Sequence, residues 1–214
     1  MSKKLIIVGS GNAALCAGIS ALEKGANVKI LEKADKHLAG GNTKYTAGAM
    51  RFVYNNGDEL KPLLKDPNDP KLEKTSFGKY SKEKFSKDLL NFNDGKPLTI
   101  EQKTLINESY ETMKWLASHG VKFDPIYQRQ SFEKDGKFIF WGGLTLASKN
   151  EGVGLFDQEL EAFKKLGGEI EYETPVDALV KEEGKIIGVK AKDNNFIADA
   201  VILASGGFEA DKEM

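Results

Sequence analysis

The segment that most constrains this chain is Gly9-Ser10-Gly11-Asn12-Ala13-Ala14, which stands between a short β-branched run, Lys4 to Val8, and a stretch of good helix formers, Asn12 to Lys24. In a strand-to-helix junction of this kind the first glycine permits the tight turn and the second lets a phosphate approach the backbone. A small third residue lets helix and strand pack closely. The helix N-terminus at Asn12 and Ala13 offers N–H groups and a partial positive charge to that phosphate. Ala13, Ala14, Ala17, Ala21 and Leu22 fall at helical spacing, and Gly25 sits where a C-terminal glycine cap belongs. Asn27 to Leu31 then alternates Val28 and Ile30 with polar neighbours as a second strand, ending at Glu32, whose carboxylate suits ribose hydroxyls. The spacing predicts a βαβ unit with parallel strands and a right-handed crossover, and a dinucleotide site at Gly9, Gly11, Asn12, Ala13, Ala14 and Glu32.

Downstream, Asn55 to Lys87 is poor in apolar residues and reads as a solvated connection. Helices are expected at Ser81 to Asn91, at a longer segment opened by a capping box of Thr99 and Gln102 and stopped by Gly120, and at Leu155 to Leu166. The long helix carries Ile106, Tyr110, Met113 and Ala117 on one face. Phe138 to Trp141 is a strand candidate. The last segment reads as strands at Glu169 to Glu173, Ala178 to Lys181, Ile186 to Ala191 and Phe196 to Ala204, with turns at Glu183-Gly184 and Asp193-Asn194. The fold class is therefore α/β: a Rossmann-like βαβ plus β-meander with an inserted, mainly helical segment. The expected boundaries are 1–54, 55–150 and 151–214.

Charge and composition remove other classes. The 31 basic and 32 acidic residues nearly cancel at −1, which argues against nucleic acid as a partner. Cys16, His37 and His119 are too few to build a cysteine or histidine zinc site, and one cysteine forms no internal disulfide, so no metal is expected and a reducing compartment, the cytoplasm, is. The apolar run Leu5 to Val8 is interrupted too early for a signal peptide, and no stretch approaches a membrane span.

Gly40-Gly41-Asn42-Thr43, followed by Thr46, Ala47, Gly48, Ala49 and Met50, resembles the flavin loop of the FAD-dependent fumarate reductase and succinate dehydrogenase flavoproteins. Three later stretches resemble the same family: Trp115 to Phe123, Thr174-Pro175-Val176 with Gly184 to Val189, and Ala198 to Phe208, which resembles its "AVILATGGF" strand. Within it, residues 11–17 and Phe140-Trp141-Gly142-Gly143 look most like tricarballylate dehydrogenases. The resemblance implies FAD as cofactor and adds Lys33, Gly40, Gly41, Asn42, Thr43, Gly48, Val176, Ala204 and Gly206 to the cofactor-binding set. Some relatives carry a flavin-linking histidine between positions matching Asn42 and Met50. None stands there in this chain, so the flavin is expected to be non-covalent.

The resemblance further implies hydride transfer between flavin and a CH–CH or C=C bond of a small polycarboxylate. The family's substrate-gripping and proton-donating residues lie after the matched segments, so the chain reads as an N-terminal portion without assignable catalytic residues, its electron partner unknown. Arg51 and Arg129 suit carboxylates chemically but are ordinarily surface arginines. His119 sits at a helix C-terminus, where an imidazolium is stabilised without any catalytic role, and Cys16 reads as a small buried residue. The alternatives are a ketosteroid dehydrogenase-like flavoenzyme and a non-catalytic dinucleotide-binding fragment.

Overall fold

A computed structural model describes residues 2–208, 212 and 213. In chain order the elements are β1 (Lys4–Val8), α1 (Asn12–Glu23), β2 (Asn27–Leu31), β3 (Ala49–Met50), β4 (Thr75–Ser76), α2 (Lys82–Phe92), α3 (Ile100–Ser118), β5 (Phe123–Pro125), α4 (Tyr127–Gln130), β6 (Ser131–Lys134), β7 (Lys137–Phe140) and β8 (Leu146–Ser148). Then follow α5 (Glu151–Lys165), β9 (Glu169–Glu171), β10 (Val176–Glu182), β11 (Lys185–Ala191), β12 (Asn194–Ile197) and β13 (Ala200–Leu203). The chain forms two compact units: Met1–Thr46 with Leu155–Met214, and Ala47–Gly154. These limits lie at 46/47 and 154/155, where sequence texture suggested 54/55 and 150/151.

In the first unit, β1 pairs in parallel with both β2 and β13, and β9 extends β2, giving the order β13-β1-β2-β9. Ile6 and Ile7 are wholly buried, as a strand covered on both faces requires. On one face Ile6 and Leu31 pack with Val189, Ala191 and Ala198 of the segment carrying the antiparallel meander β10-β11-β12.

Helix α1 buries Ala14, Leu15, Gly18 and Ile19. The alanine spacing pointed to a different stripe; Ala13 is exposed and Ala17, Ala21 and Leu22 are half-buried, because the packed stripe takes the larger Leu15 and Ile19 with a glycine between them. A Cβ at Gly18 would lie 2.6 Å from the Phe163 ring of α5. Gly18→Ala is therefore expected to destabilise the chain by about 1–3 kcal/mol through overpacking, outweighing the roughly 1 kcal/mol alanine gains in helix propensity. Urea unfolding checks the sign, and Phe163→Leu in the same background should recover part of the loss.

The stretch Phe196 to Ala204 is two strands, contrary to the single one expected. The Ala198 N–H still donates to Ile187 O of the meander (2.9 Å), while the next N–H, that of Asp199, donates to Lys4 O of the parallel sheet (2.9 Å). The Asp199 carboxylate accepts the Lys4 N–H at 2.7 Å and fixes the crossing. Apolar continuity hides such a change of sheet, since both sheets need the same side chains. Likewise β9, expected beside the meander, belongs to the parallel sheet. The second turn falls at Lys192-Asp193, one residue earlier than read, with Lys192 at φ 53°.

In the second unit, Thr99 and Gln102 form the reciprocal capping box, and α3 buries Ile106, Ser109, Met113 and Leu116, leaving Tyr110 and Ala117 half-buried. Two three-stranded sheets, β3-β8-β5 and β4-β7-β6, accompany the helices. Their strands of two to four residues are too short for an alternating pattern to register. The region read as a solvated connection instead contributes buried Leu60, Leu63, Phe77, Tyr80 and Phe85. Tyr80 exchanges backbone hydrogen bonds with Tyr54 (2.9 and 3.1 Å), whose hydroxyl donates to Phe77 O at 2.8 Å. Among the described residues no helix is long and apolar enough to cross a membrane.

Candidate cofactor site

A cleft of about 860 Å³ opens in the first unit at the carboxyl ends of β1, β2 and β13, the end of a parallel sheet where ligands bind. Its floor is the glycine turn. Gly9 adopts φ +94°, its N–H donates to Leu31 O at 2.9 Å, and a Cβ there would lie 2.5 Å from Ala204 O. Only glycine lets β1 turn away while the end of β13 passes this closely.

Gly11 has an ordinary φ of −73°, so its constraint is space: a Cβ would come within 3.2 Å of Thr43 Oγ1. That hydroxyl accepts the Asn12 N–H at 2.9 Å and serves as the side-chain cap that Gly11 cannot supply. The helical ladder begins at Leu15, whose N–H donates to Gly11 O (3.0 Å), so the N–H groups of Ala13 and Ala14 precede it at the positive end of the helix. The second glycine thus admits the Gly40–Thr43 loop as well as leaving the backbone open to a phosphate.

Glu32 is 7% exposed. Its Oε2 accepts from Ser10 Oγ at 2.5 Å and its Oε1 from the Ala34 N–H at 2.8 Å, while Ser10 Oγ accepts the Gly40 N–H at 3.1 Å. The Thr174 N–H donates to Glu32 O at 2.8 Å, tying the residue to the chain entering β10. The carboxylate is held in one orientation, and each oxygen keeps acceptor capacity for a hydroxyl group.

Gly9, Gly11, Asn12, Ala13, Glu32, Lys33, Gly40, Gly41, Asn42, Thr43, Val176, Ala204 and Gly206, all expected from sequence, line this one cleft. Ala14 and Gly48 do not. Ala14 is fully buried against the sheet, which is the packing role of the third small residue. Gly48 belongs to the second unit, where its carbonyl accepts the Ser148 N–H at 2.9 Å and a Cβ would overlap the Ser148 hydroxyl. Sequence reasoning missed Val8, Ser10, Leu31, Thr174, Pro175, Leu203, Ser205 and Gly207 as lining residues. Each stands within two residues of one it singled out, but nothing in a linear pattern says that a neighbour faces the same opening.

The remaining candidates lie elsewhere. Arg51 Nη1 donates to Tyr80 Oη at 2.9 Å and stands 3.5 Å from Asp88, and Tyr80 in turn donates to Asp88 at 2.6 Å. Burial, with Asp88 accepting its proton, pushes the Tyr80 phenol up to about 12. Arg129 faces Glu151 at 3.6 Å on an exposed surface. His119 caps α3, its Nδ1 2.8 Å from Trp115 O and its ring against the Trp115 indole. No group of metal-ligating side chains occurs among the described residues.

The family described as "FAD binding domain" matches residues 4–214. The urocanate reductase of Eggerthella lenta is 31% identical over 228 residues, covering 98% of this chain and 32% of its own length. A fumarate reductase (cytochrome) of Shewanella frigidimarina is 26% identical over 215 residues, covering 98% of this chain and 34% of that protein. Among solved structures, the 3-ketosteroid delta1-dehydrogenase of Sterolibacterium denitrificans superposes with a TM-score of 0.72 at 14% identity, over 99% of this chain and 49% of that one. The chain spans about a third of the length of the curated relatives. The chain belongs to the FAD-binding-domain family, and FAD is its cofactor.

Proposed function

We propose that this chain carries the FAD cradle of an enzyme acting on a C–C bond adjacent to a carboxylate, in a small carboxylate or polycarboxylate substrate. The observation that carries the cofactor part is the convergence of the glycine turn, the N-terminus of α1, the Glu32 carboxylate and the Gly40–Thr43 loop on one cleft. These residues fit a dinucleotide: the Ala13 amide at the N-terminus of α1 would face a pyrophosphate, and the Glu32 oxygens suit an adenosine ribose. Bound FAD supplies the redox chemistry, as a two-electron carrier of hydride. The protein's part is to bind and orient it. No histidine lies between Asn42 and Met50, which favours non-covalent attachment. The chemistry of the substrate is supported by the relatives named urocanate reductase and fumarate reductase. Tricarballylate is the finer reading, supported by the short stretches at residues 11–17 and 140–143.

The test compares this chain with a version extended beyond Met214 along a relative's sequence, assayed anaerobically with reduced dye on fumarate and urocanate, and with oxidised dye on tricarballylate. The extended protein is expected to turn over a carboxylate and the short chain to bind FAD without efficient turnover. Turnover needs an oriented substrate and a positioned proton donor, together worth many powers of ten. Turnover of a ketosteroid instead would move the protein to an apolar substrate class. Equal rates for both versions would place catalysis within these residues.

A further inference from the structure

One buried group plays no part in the cleft lining yet reaches a lining residue through a single intervening side chain. Glu159 of α5 is 0% exposed, and its Oε2 has no hydrogen-bond partner. Its Oε1 lies 3.7 Å from Cys16 Sγ on α1, and that sulfur lies 3.3 Å from Asn12 Oδ1, one turn up the same helix. Asn12 lines the cleft. A thiol has a single proton and so donates to one of these two oxygens at a time.

We propose that Glu159 and Cys16 are positioning residues of the FAD cradle: Glu159, in its neutral form, donates to Cys16 Sγ, Cys16 donates to Asn12 Oδ1, and Asn12 is thereby held with its amide N–H₂ as a donor to the pyrophosphate. The direction of each bond follows from the chemistry. An ionised Glu159 has no proton to give and would draw the thiol proton to itself, releasing Asn12. It would also set an uncompensated buried negative charge behind a site that takes an anion.

Cys16 is the titratable group that acts on Glu159, and Glu159 the one that acts on Cys16; no lysine, arginine or histidine among the described residues compensates either. Burial pushes the Glu159 carboxyl up to about 8 and raises the thiol beyond the same range. One proton on Glu159 is therefore linked to cofactor binding. The inference rests on the cofactor site proposed above and adds a pH dependence which that site alone does not require.

The experiment is the dissociation constant of FAD from near neutral to about pH 9.5 for the parent, Glu159→Gln, Cys16→Ser and Cys16→Ala. The parent is expected to bind evenly below about pH 8 and to weaken roughly tenfold per pH unit above it. Glu159→Gln, a permanent donor, should bind with the parent's low-pH affinity and no such slope. Cys16→Ser, which keeps a hydroxyl relay, should stay close to the parent, while Cys16→Ala should weaken binding at every pH. A flat parent profile, an unchanged slope in Glu159→Gln, or equal behaviour of the two Cys16 variants would overturn the proposal. If FAD fails to bind at any pH, the cofactor reading fails, and the relay is read in the apoprotein by infrared spectroscopy. A protonated-carboxyl band lost in Glu159→Gln and an S–H band shifted by both Glu159→Gln and Asn12→Ala support the relay, and the absence of either overturns it.

Discussion

Gly9→Ala is expected to yield a chain that retains no FAD and loses about 2–5 kcal/mol of stability, the sum of left-handed backbone strain and overpacking. The strain arises because Gly9 sits at φ +94°, and the overpacking because the new methyl group would meet the Ala204 carbonyl at 2.5 Å. That carbonyl is backbone and has nowhere to swing. The end of β13 must then separate from β1, carrying the Ala204–Gly207 wall away from the glycine turn. Gly25 provides the control, since it also has a left-handed φ (+79°) but nothing lies within 4 Å of its would-be Cβ. Gly25→Ala should therefore cost only the strain, about 1–2 kcal/mol, and leave flavin retention intact. Urea unfolding and the flavin absorbance of the purified variants separate the two cases. Equal losses at both positions would show that collision with β13 plays no part.

Glu159→Gln is expected to stabilise the folded apoprotein near neutral pH by about 3 kcal/mol, because it removes the cost of keeping a proton on a buried acid. The sign follows from linkage. The carboxyl titrates near 4.5 when unfolded and at about 8 when folded, so between those values the folded chain holds the extra proton. The parent's stability falls as pH rises through that window and levels off above about 8. Below about 4.5 both states are protonated and the linked cost vanishes. The difference between variant and parent in denaturant midpoints should hence be small in acid, grow toward neutrality and plateau in weak alkali. A difference independent of pH would mean that Glu159 is already ionised in the folded state. Leu15 and Ile19, on the buried stripe of α1, offer apolar controls, since shortening either creates a cavity whose cost does not follow pH.

The parts legible in sequence are those where one backbone requirement selects one residue type. The turn at Gly9, the left-handed cap at Gly25 and the box at Thr99 and Gln102 each satisfy a local constraint within a few residues, and the structure places all of them as the sequence implies. The cleft was legible in outline for the same reason, because β1, the glycine turn, α1 and β2 are consecutive. What stayed hidden depends on partners distant in the chain. Thr43 caps α1 from 31 residues away, and Ser10 links Glu32 to Gly40 across a loop. Strand spacing alone did not assign β9 and β13 to the parallel sheet, because pairing is decided by which edge is free. Glu159 reads in sequence as one more acid on an amphipathic helix, and only the packing of α5 against α1 makes it a fully buried one. Arg51 suited a carboxylate by type, and the fold instead sets it against Asp88 and Tyr80.

The cleft at Gly9, Glu32 and Thr43 is expected to hold FAD in preference to NAD. This preference is tested most directly by titrating the apoprotein with FAD, following flavin fluorescence, in the presence and absence of excess NAD and with Glu32→Ala alongside. Saturable one-to-one binding that NAD displaces poorly is expected. Glu32→Ala should weaken it by about 1.5–3 kcal/mol, roughly ten- to a hundredfold, through loss of a charge-assisted hydrogen bond to the ribose. Absence of saturable FAD binding, displacement by NAD at matched concentration, or a Glu32→Ala variant that binds as tightly as the parent would contradict that expectation.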